Sequence, residues 1–403
     1  MKCITLEMLL RSCSDSSSDD GIRIDTELEP IGGPGAPVKP AIYAGGVFQL
    51  DRRWASPDDE KPTQVVVIDN VPSQANRLEA ALRQRRETSG IPELILDLSS
   101  AGNLPAHLPR QLSSLQFPHR NADAYLRDAT IEGKDFIKTD LGKEIFGATA
   151  QTCGPLLAWF PQSLLYGFWQ SHLGKKKHNT KHARAWVSEI VGWKPATDSE
   201  NATRTFGLKG DPLNLNTDEA ILSNPNDRFE WHIGTEAKKK ASKDAKKDKL
   251  SETGHGQVPV SGNDATLAPI SFARITQRAT LSFAQLRHVS LGRDTSSEQD
   301  NAARALLVAL GLHAHVLAFG RSFALRSGAE LRPASSNMLW LSPDGDASIE
   351  LASDTQTLLA EAKEHARKCG GIPLGGWDKS SLILGPKANL LKAIQATWPS
   401  MDN

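Results

Sequence analysis

The sequence predicts an α+β fold, a ferredoxin-like or RNA-recognition-type core enlarged by insertions, and two strand–helix–strand units predict it. The first begins with the β-branched run Val65 to Ile68, continues as a helix up to Arg86 and closes with the strand Glu93–Leu98. The second begins at Ser271–Phe283, whose alternate positions separate cleanly, and continues into a long apolar helix.

Taken in order, residues 4–12 suit one short amphipathic helix, and the Ser/Asp-rich segment behind them suits a flexible link. Ile22–Pro30 alternates Ile22, Ile24, Thr26 and Leu28 with charged residues, the pattern of a strand with one wet face. A long Gly/Pro loop follows, suited either to wrapping a ligand or to plain connection. After the Val65–Ile68 strand, Asp69, Asn70 and Pro72 break the pattern and Ser73 is positioned to cap a helix. Ala75, Leu78 and Leu82 give that helix its apolar stripe. His119–Ala129 reads as helical, and the aromatic stretch from Leu156 to Leu173 reads as core rather than as a binding platform. Ala183, Val187 and Ile190 suggest a helix starting within Gly174–Trp193. Ser296 and Gln299 have capping-box spacing, and Gly311 stands where a C-terminal cap would end their helix. The segment 313–328 is then strand-like, followed by a strand at Met338–Leu341 and helices at Thr355–Lys368 and Ala388–Thr397.

These elements divide the chain into an N-terminal helix and link (1–20), a core with insertions (21–351) and a C-terminal helical tail (352–403). Residues 237–252 are Lys-rich and poor in apolar surface, so a mobile insertion is expected at about 235–255. With 403 residues, 39% of them hydrophobic, the chain is long enough for a large core. Four dispersed cysteines without a C-x-x-C pair suit a reducing cytoplasm, and neither a signal peptide nor a membrane-spanning run is expected.

Net charge is +0, so any affinity for nucleic acid has to come from clustering. Four clusters stand out. Gln74, Asn76 and Arg77 occupy a helix start, where backbone amides favour anions. Lys175, Lys176, Lys177, Lys181 and Arg184 form a basic span. Arg274 and Arg278 share a strand face that carries no acid of its own. Arg321 and Arg326 come from the segment after the long helix. All suit phosphate contacts.

Catalytic signals are weak. His178 and His182 are four residues apart, but they lie among lysines and no carboxylate or cysteine completes a ligand shell, so no metal or other cofactor is expected. No G-x-S-x-G, P-loop or dinucleotide fingerprint occurs. His119 or His255 is a candidate general base for RNA cleavage.

The succession IDNVPSQANRLEAAL, HRNADAYLRDA, PQSLLYGFWQS, ARAWVSEIVG and FARITQRATLSFAQLRHV resembles one CRISPR family. It is similar to the backbone subunit of the type I-G (formerly I-U) Cascade complex, the Csb-one or Cas-seven group of RAMP proteins. The likeness runs from about Ile22 to Leu331 and is strongest at Ser73–Glu79, Trp169–Ser171, Ser188–Gly192 and Leu286-Arg287. Members commonly carry Asp-Ser where this chain has Asp69-Asn70. The resemblance implies a modified RNA-recognition core shaped like a hand, with palm, fingers and thumb. It also implies head-to-tail polymerisation on a CRISPR guide RNA, with contacts that include Arg287, alongside other Cascade subunits. A target DNA strand would be read through the guide, a base would be displaced at regular intervals, and cleavage would be left to a recruited helicase–nuclease. The chain itself is then not an enzyme; a metal-independent RAMP endoribonuclease is the alternative.

Overall fold

The structure is a computed structural model and describes residues 2–44, 46–102, 104, 107–171, 180–196, 212–213, 215, 217–234, 243, 245–250, 252–253, 255, 269–351 and 353–397. The N-terminal part holds β1 (Lys2–Ile4), α1 (Leu6–Ser12), β2 (Gly21–Pro30), β3 (Leu50–Arg53), β4 (Thr63–Asp69), α2 (Val71–Gln84) and β5 (Leu94–Asp97). The middle supplies α3 (Gly154–Trp159), α4 (Pro161–Tyr166), the hairpin β6 (Phe168–Gln170) and β7 (Thr180–His182), and then β8 (Trp186–Pro195). The remainder supplies β9 (Phe272–Ser282), α5 (Ser297–Phe319), β10 (Phe323–Arg326), β11 (Ala329–Leu341), β12 (Ala347–Leu351), α6 (Thr355–Lys368), β13 (Leu382–Pro386) and α7 (Ala388–Thr397).

A nine-stranded sheet runs β1-β12-β11-β2-β9-β8-β4-β3, with β10 also paired to β11. Its inner strands β11, β2, β9 and β8 are antiparallel neighbours. In chain order they are the fourth, first, third and second of the four. α2 lies between the first and second of them, and α5 between the third and fourth. Two split β-α-β units therefore interleave, which is the ferredoxin-like arrangement. The expected units were right in kind and wrong in membership. β5 leaves the main sheet to pair with β13, and β8 takes its place beside β9.

The alternation read from Ile22 to Pro30 is the burial pattern of β2. Ile22, Ile24, Ala279 and Leu281 face the helices and join Ala75, Leu78, Leu82, Leu306 and Leu310 in one core. Asn70, not Ser73, caps α2: its Oδ1 accepts from Ser73 N at 3.1 Å, and Ser73 Oγ donates to Asp69. The expected helix across Ala183–Ile190 is strand β8, with Trp186, Ser188 and Ile190 inward and Val187 outward. Pairing on both edges, to β4 and β9, selects the two-residue period over the helical one. His119–Ala129 is only a 3₁₀ turn (Arg120–Ala122) and one short helical turn (Ala124–Arg127).

α5 does not stop at Gly311. It runs to Phe319, so the expected strand over 313–328 begins only at Phe323. Gly311 is there for clearance, since a Cβ would stand 2.9 Å from Trp186 Cε3. This helix is long and apolar enough by composition to cross a membrane, yet most of it is buried, packed against α6, α2 and α1. The C-terminal part therefore completes the core. It holds its two expected helices and also β13, which pairs with β5. The Ser/Asp-rich link is held in place as well. Arg304, almost fully buried, donates to Cys13 O, Asp15 Oδ1 and Val289 O. Of the Lys-rich stretch, Lys246–Asp248 forms a strand against Ile221–Asn224; residues 237–242, 244 and 251 lie outside the described ones.

Candidate nucleic-acid interface

The end of β4 and the start of α2 build the most concentrated polar cluster. Asp69 closes a strand whose residues are buried on both faces, so its carboxylate is fully buried and must be paired. Arg77, two turns along α2, places Nε 2.9 Å from Asp69 Oδ2, and Arg326 on β10 places Nη2 3.1 Å from Oδ1. Gln74 donates to the same carboxylate. Arg77 also donates to Leu325 O, and Arg326 to Lys39 O and Ile68 O. Burial pushes the Arg326 guanidinium down from its ordinary value, while Asp69 holds it up and Arg77 opposes it. Burial and then the Asp69 charge push the Tyr43 hydroxyl up, and Asn70 Nδ2 donates to it at 2.9 Å.

Two guanidiniums against one carboxylate leave a surplus positive charge, and both side chains keep about a quarter of their surface, 26% and 25%. The surplus stands at the N-terminal end of a helix, where the backbone is itself electropositive. Asn76 is exposed one residue from Arg77. Gln74 is not available to a ligand. It is completely buried, and its Oε1 accepts from Gln277 Nε2 at 2.7 Å, tying α2 to the sheet.

The open sheet face differs from its sequence reading. Arg274 and Arg278 do point outward, but β2 and β8 bring acids to them. Arg278 Nε lies 2.7 Å from Asp25 Oδ1, and Glu189 is its register partner on β8. Arg274 is 3.8 Å from Glu27 and stacks 5.1 Å from the centre of the Trp193 ring. Arg53 pairs with Glu189, Arg23 with Asp25 and Arg332 with Glu29. This face holds a hollow of about 490 Å³ bordered by Trp54, Trp193 and the pairs Arg278–Asp25, Arg274–Glu27 and Arg53–Glu189. Its charges are balanced, so it is no continuous cationic groove. A strand read alone cannot show which acids its neighbours bring.

The hairpin β6–β7 carries the next group. Phe168 and His182 are buried with rings 5.9 Å apart, and His182 Nε2 lies 3.0 Å from Leu164 O. Burial pushes the His182 imidazole down. On the other face Trp169, 64% exposed, stands directly opposite exposed Lys181. Among the described residues of the aromatic stretch, 156–171, most are core, as expected, and Trp169 is the exposed aromatic. Arg184 is also exposed, and burial followed by the nearby Arg120 charge pushes its guanidinium down. Arg120 itself is taken by Glu79, with contacts of 2.7 and 2.9 Å in an almost closed site. Burial pushes the Glu79 carboxyl up, and Arg120 pulls it back. Gly167, at φ +78°, lets β7 approach, because a Cβ there would stand 2.8 Å from His182 O.

The remaining expected contacts scatter. Lys175, Lys176, Lys177 and His178 lie outside the described residues. Arg287 is half-buried and donates to Asp19 O at 3.0 Å, holding the N-terminal link with Arg304 rather than facing a ligand. Arg321 is exposed just beyond α5. His119 lies next to the 3₁₀ turn, and His255 packs 5.4 Å from the Trp231 ring. Among the described residues, no three His, Cys, Asp or Glu side chains are grouped as metal ligands would be.

Asp69 and Trp169 are the two positions that sequence reasoning undervalued. Asp69 reads as a strand breaker, and Trp169 sits in a run of residues that are otherwise buried.

Residues 22–196 match the model of a family described as CRISPR-associated protein GSU0053. No curated protein matches the chain. The family match supports a CRISPR-associated protein, and the matched segment contains the Asp69 cluster up to Arg77 and the whole β6–β7 hairpin.

Proposed function

We propose that the chain is a non-catalytic subunit that binds CRISPR guide RNA through its ribose-phosphate backbone, as the backbone subunit of a type I-G Cascade surveillance complex. Copies would join head to tail along the guide, beside other Cascade subunits, and leave its bases free to pair with a target DNA strand. The observation that carries this reading is the unequal cluster at Asp69: two partly exposed guanidiniums, one buried carboxylate and a helix N-terminus. A guide changes sequence while its carrier does not, so fixed cations aimed at phosphate suit the task better than base-edge contacts. The near-neutral remainder also suits stacking of copies, which uniform positive charge would oppose. Such open contacts are heterologous, and the length of the RNA would limit them.

The test is purification with and without a guide RNA. A nucleic-acid-rich oligomer whose size follows guide length is the expected result; protein that emerges free of RNA in both cases would exclude it. The endoribonuclease alternative is separated by incubating the protein with repeat RNA in EDTA. Intact, protected RNA is expected, whereas cleavage abolished by His119→Ala or His255→Ala would establish the enzyme.

A further inference from the structure

We infer that Trp169 and Lys181, paired across the β6–β7 hairpin, form a stacking site for one unpaired nucleobase and its phosphate in single-stranded RNA. The inference rests on the RNA-binding reading above and deepens it. Among the described residues Trp169 is one of few large apolar side chains exposed to this extent, and its setting differs from that of Trp54, which is also exposed. Trp54 borders the hollow where Asp25, Glu27 and Glu189 neutralise the arginines, so a phosphate there would meet as much negative charge as positive. Trp169 stands opposite Lys181, with Arg184 exposed two residues beyond β7. Among the described residues, neither cation has an acidic partner within ion-pair distance. A flat aromatic ring with an unneutralised ammonium beside it is the arrangement that holds a base by stacking and its phosphate by charge, without regard to sequence.

The platform is also braced from behind. Phe168 and His182 fill the inner face, Gln170 Nε2 donates to Phe146 O, and His182 is held on Leu164 O. The outward face therefore keeps its geometry with nothing bound, so little ordering is required when a base arrives. Coverage of Trp169 by another protein is the competing occupant. Two exposed cations nearby, Lys181 and Arg184, favour a polyanion, since Arg120 behind them is neutralised by Glu79.

The experiment titrates full-length protein into a labelled, unstructured single-stranded RNA at several salt concentrations and reads anisotropy. Trp169→Ala should weaken binding about tenfold while leaving the salt slope unchanged, because stacking releases no counterions. Trp169→Phe should stay within about threefold of wild type, since any aromatic face stacks. Lys181→Gln should lower the slope by about one. The same backbone carrying abasic positions should bind wild type and Trp169→Ala alike. Wild-type affinity in Trp169→Ala would overturn the stacking site and leave the RNA-binding reading standing. No RNA binding by the wild type would remove both. Loss of self-association in Trp169→Ala with RNA affinity intact would make Trp169 a protein contact and overturn the inference.

Discussion

Arg77 and Arg326 close on the same buried carboxylate, Asp69, from a helix and a strand that lie far apart in the chain. The sharing divides the consequences of substitution. Asp69→Asn leaves two guanidiniums facing each other and should cost about 2–4 kcal/mol, below the full figure for a buried pair because both arginines keep some solvent. Urea denaturation measures it.

Arg77→Gln should do the opposite. Asp69 keeps Arg326 and the charges then balance, so stability should fall by only about 1 kcal/mol. RNA affinity should fall equally for unrelated guides, with a salt slope smaller by about one. A loss confined to one guide sequence would contradict backbone recognition.

Arg274→Ala and Arg278→Ala should leave affinity within about twofold and the salt slope unchanged, because Glu27 and Asp25 already occupy those cations. A slope reduced by one in either variant would return the sheet face to the RNA path.

His315 is buried against Trp186 and Phe319, and burial lowers its pKa from 6.5 to about 4. The unfolded chain therefore takes up this proton at a higher pH than the folded one. Stability is fully present above pH 6.5 and is lost as the pH falls towards 4, by about 3 kcal/mol for this group. His182 and His313 shift in the same direction. His315→Phe should flatten the dependence of denaturation midpoint on pH in that window; an unchanged slope would place the titration elsewhere.

Gly311→Ala sets two known effects against each other. Alanine favours the helix by about 1 kcal/mol, while a methyl pressed into Trp186 costs about 1–3 kcal/mol. Trp186 is held by β9 and β8 pairing and has little room to yield, so a net loss in thermal stability is expected.

What was legible in the sequence was local. The stripe of α2, the alternation of β2 and the capping box at Ser296 each depend on neighbours a few residues away, and each forms where its pattern lies. What failed was decided by distant chain. Ala183, Val187 and Ile190 fit a helix until β4 and β9 claim both edges of β8. Gly311 looks like a stop until Trp186 is seen against it. Arg274 and Arg278 look free because their acids belong to β2. At the interface the same rule holds. Asn76 and Arg77 stand out on their own helix, whereas the role of Asp69 appears only when Arg326 arrives, and Trp169 is distinguished from its buried neighbours only by the hairpin pleat.

The order of the central sheet has a consequence for biosynthesis. β2 emerges from the ribosome first among the four inner strands, yet both strands that flank it, β9 and β11, belong to the far end of the chain. Until residue 341 has been made, one side or the other of β2 has bare amides and carbonyls. Such a nascent chain is slow to close and open to illicit pairing with its siblings. Translation speed and chaperone supply should therefore govern the yield of native protein more strongly than its final stability does.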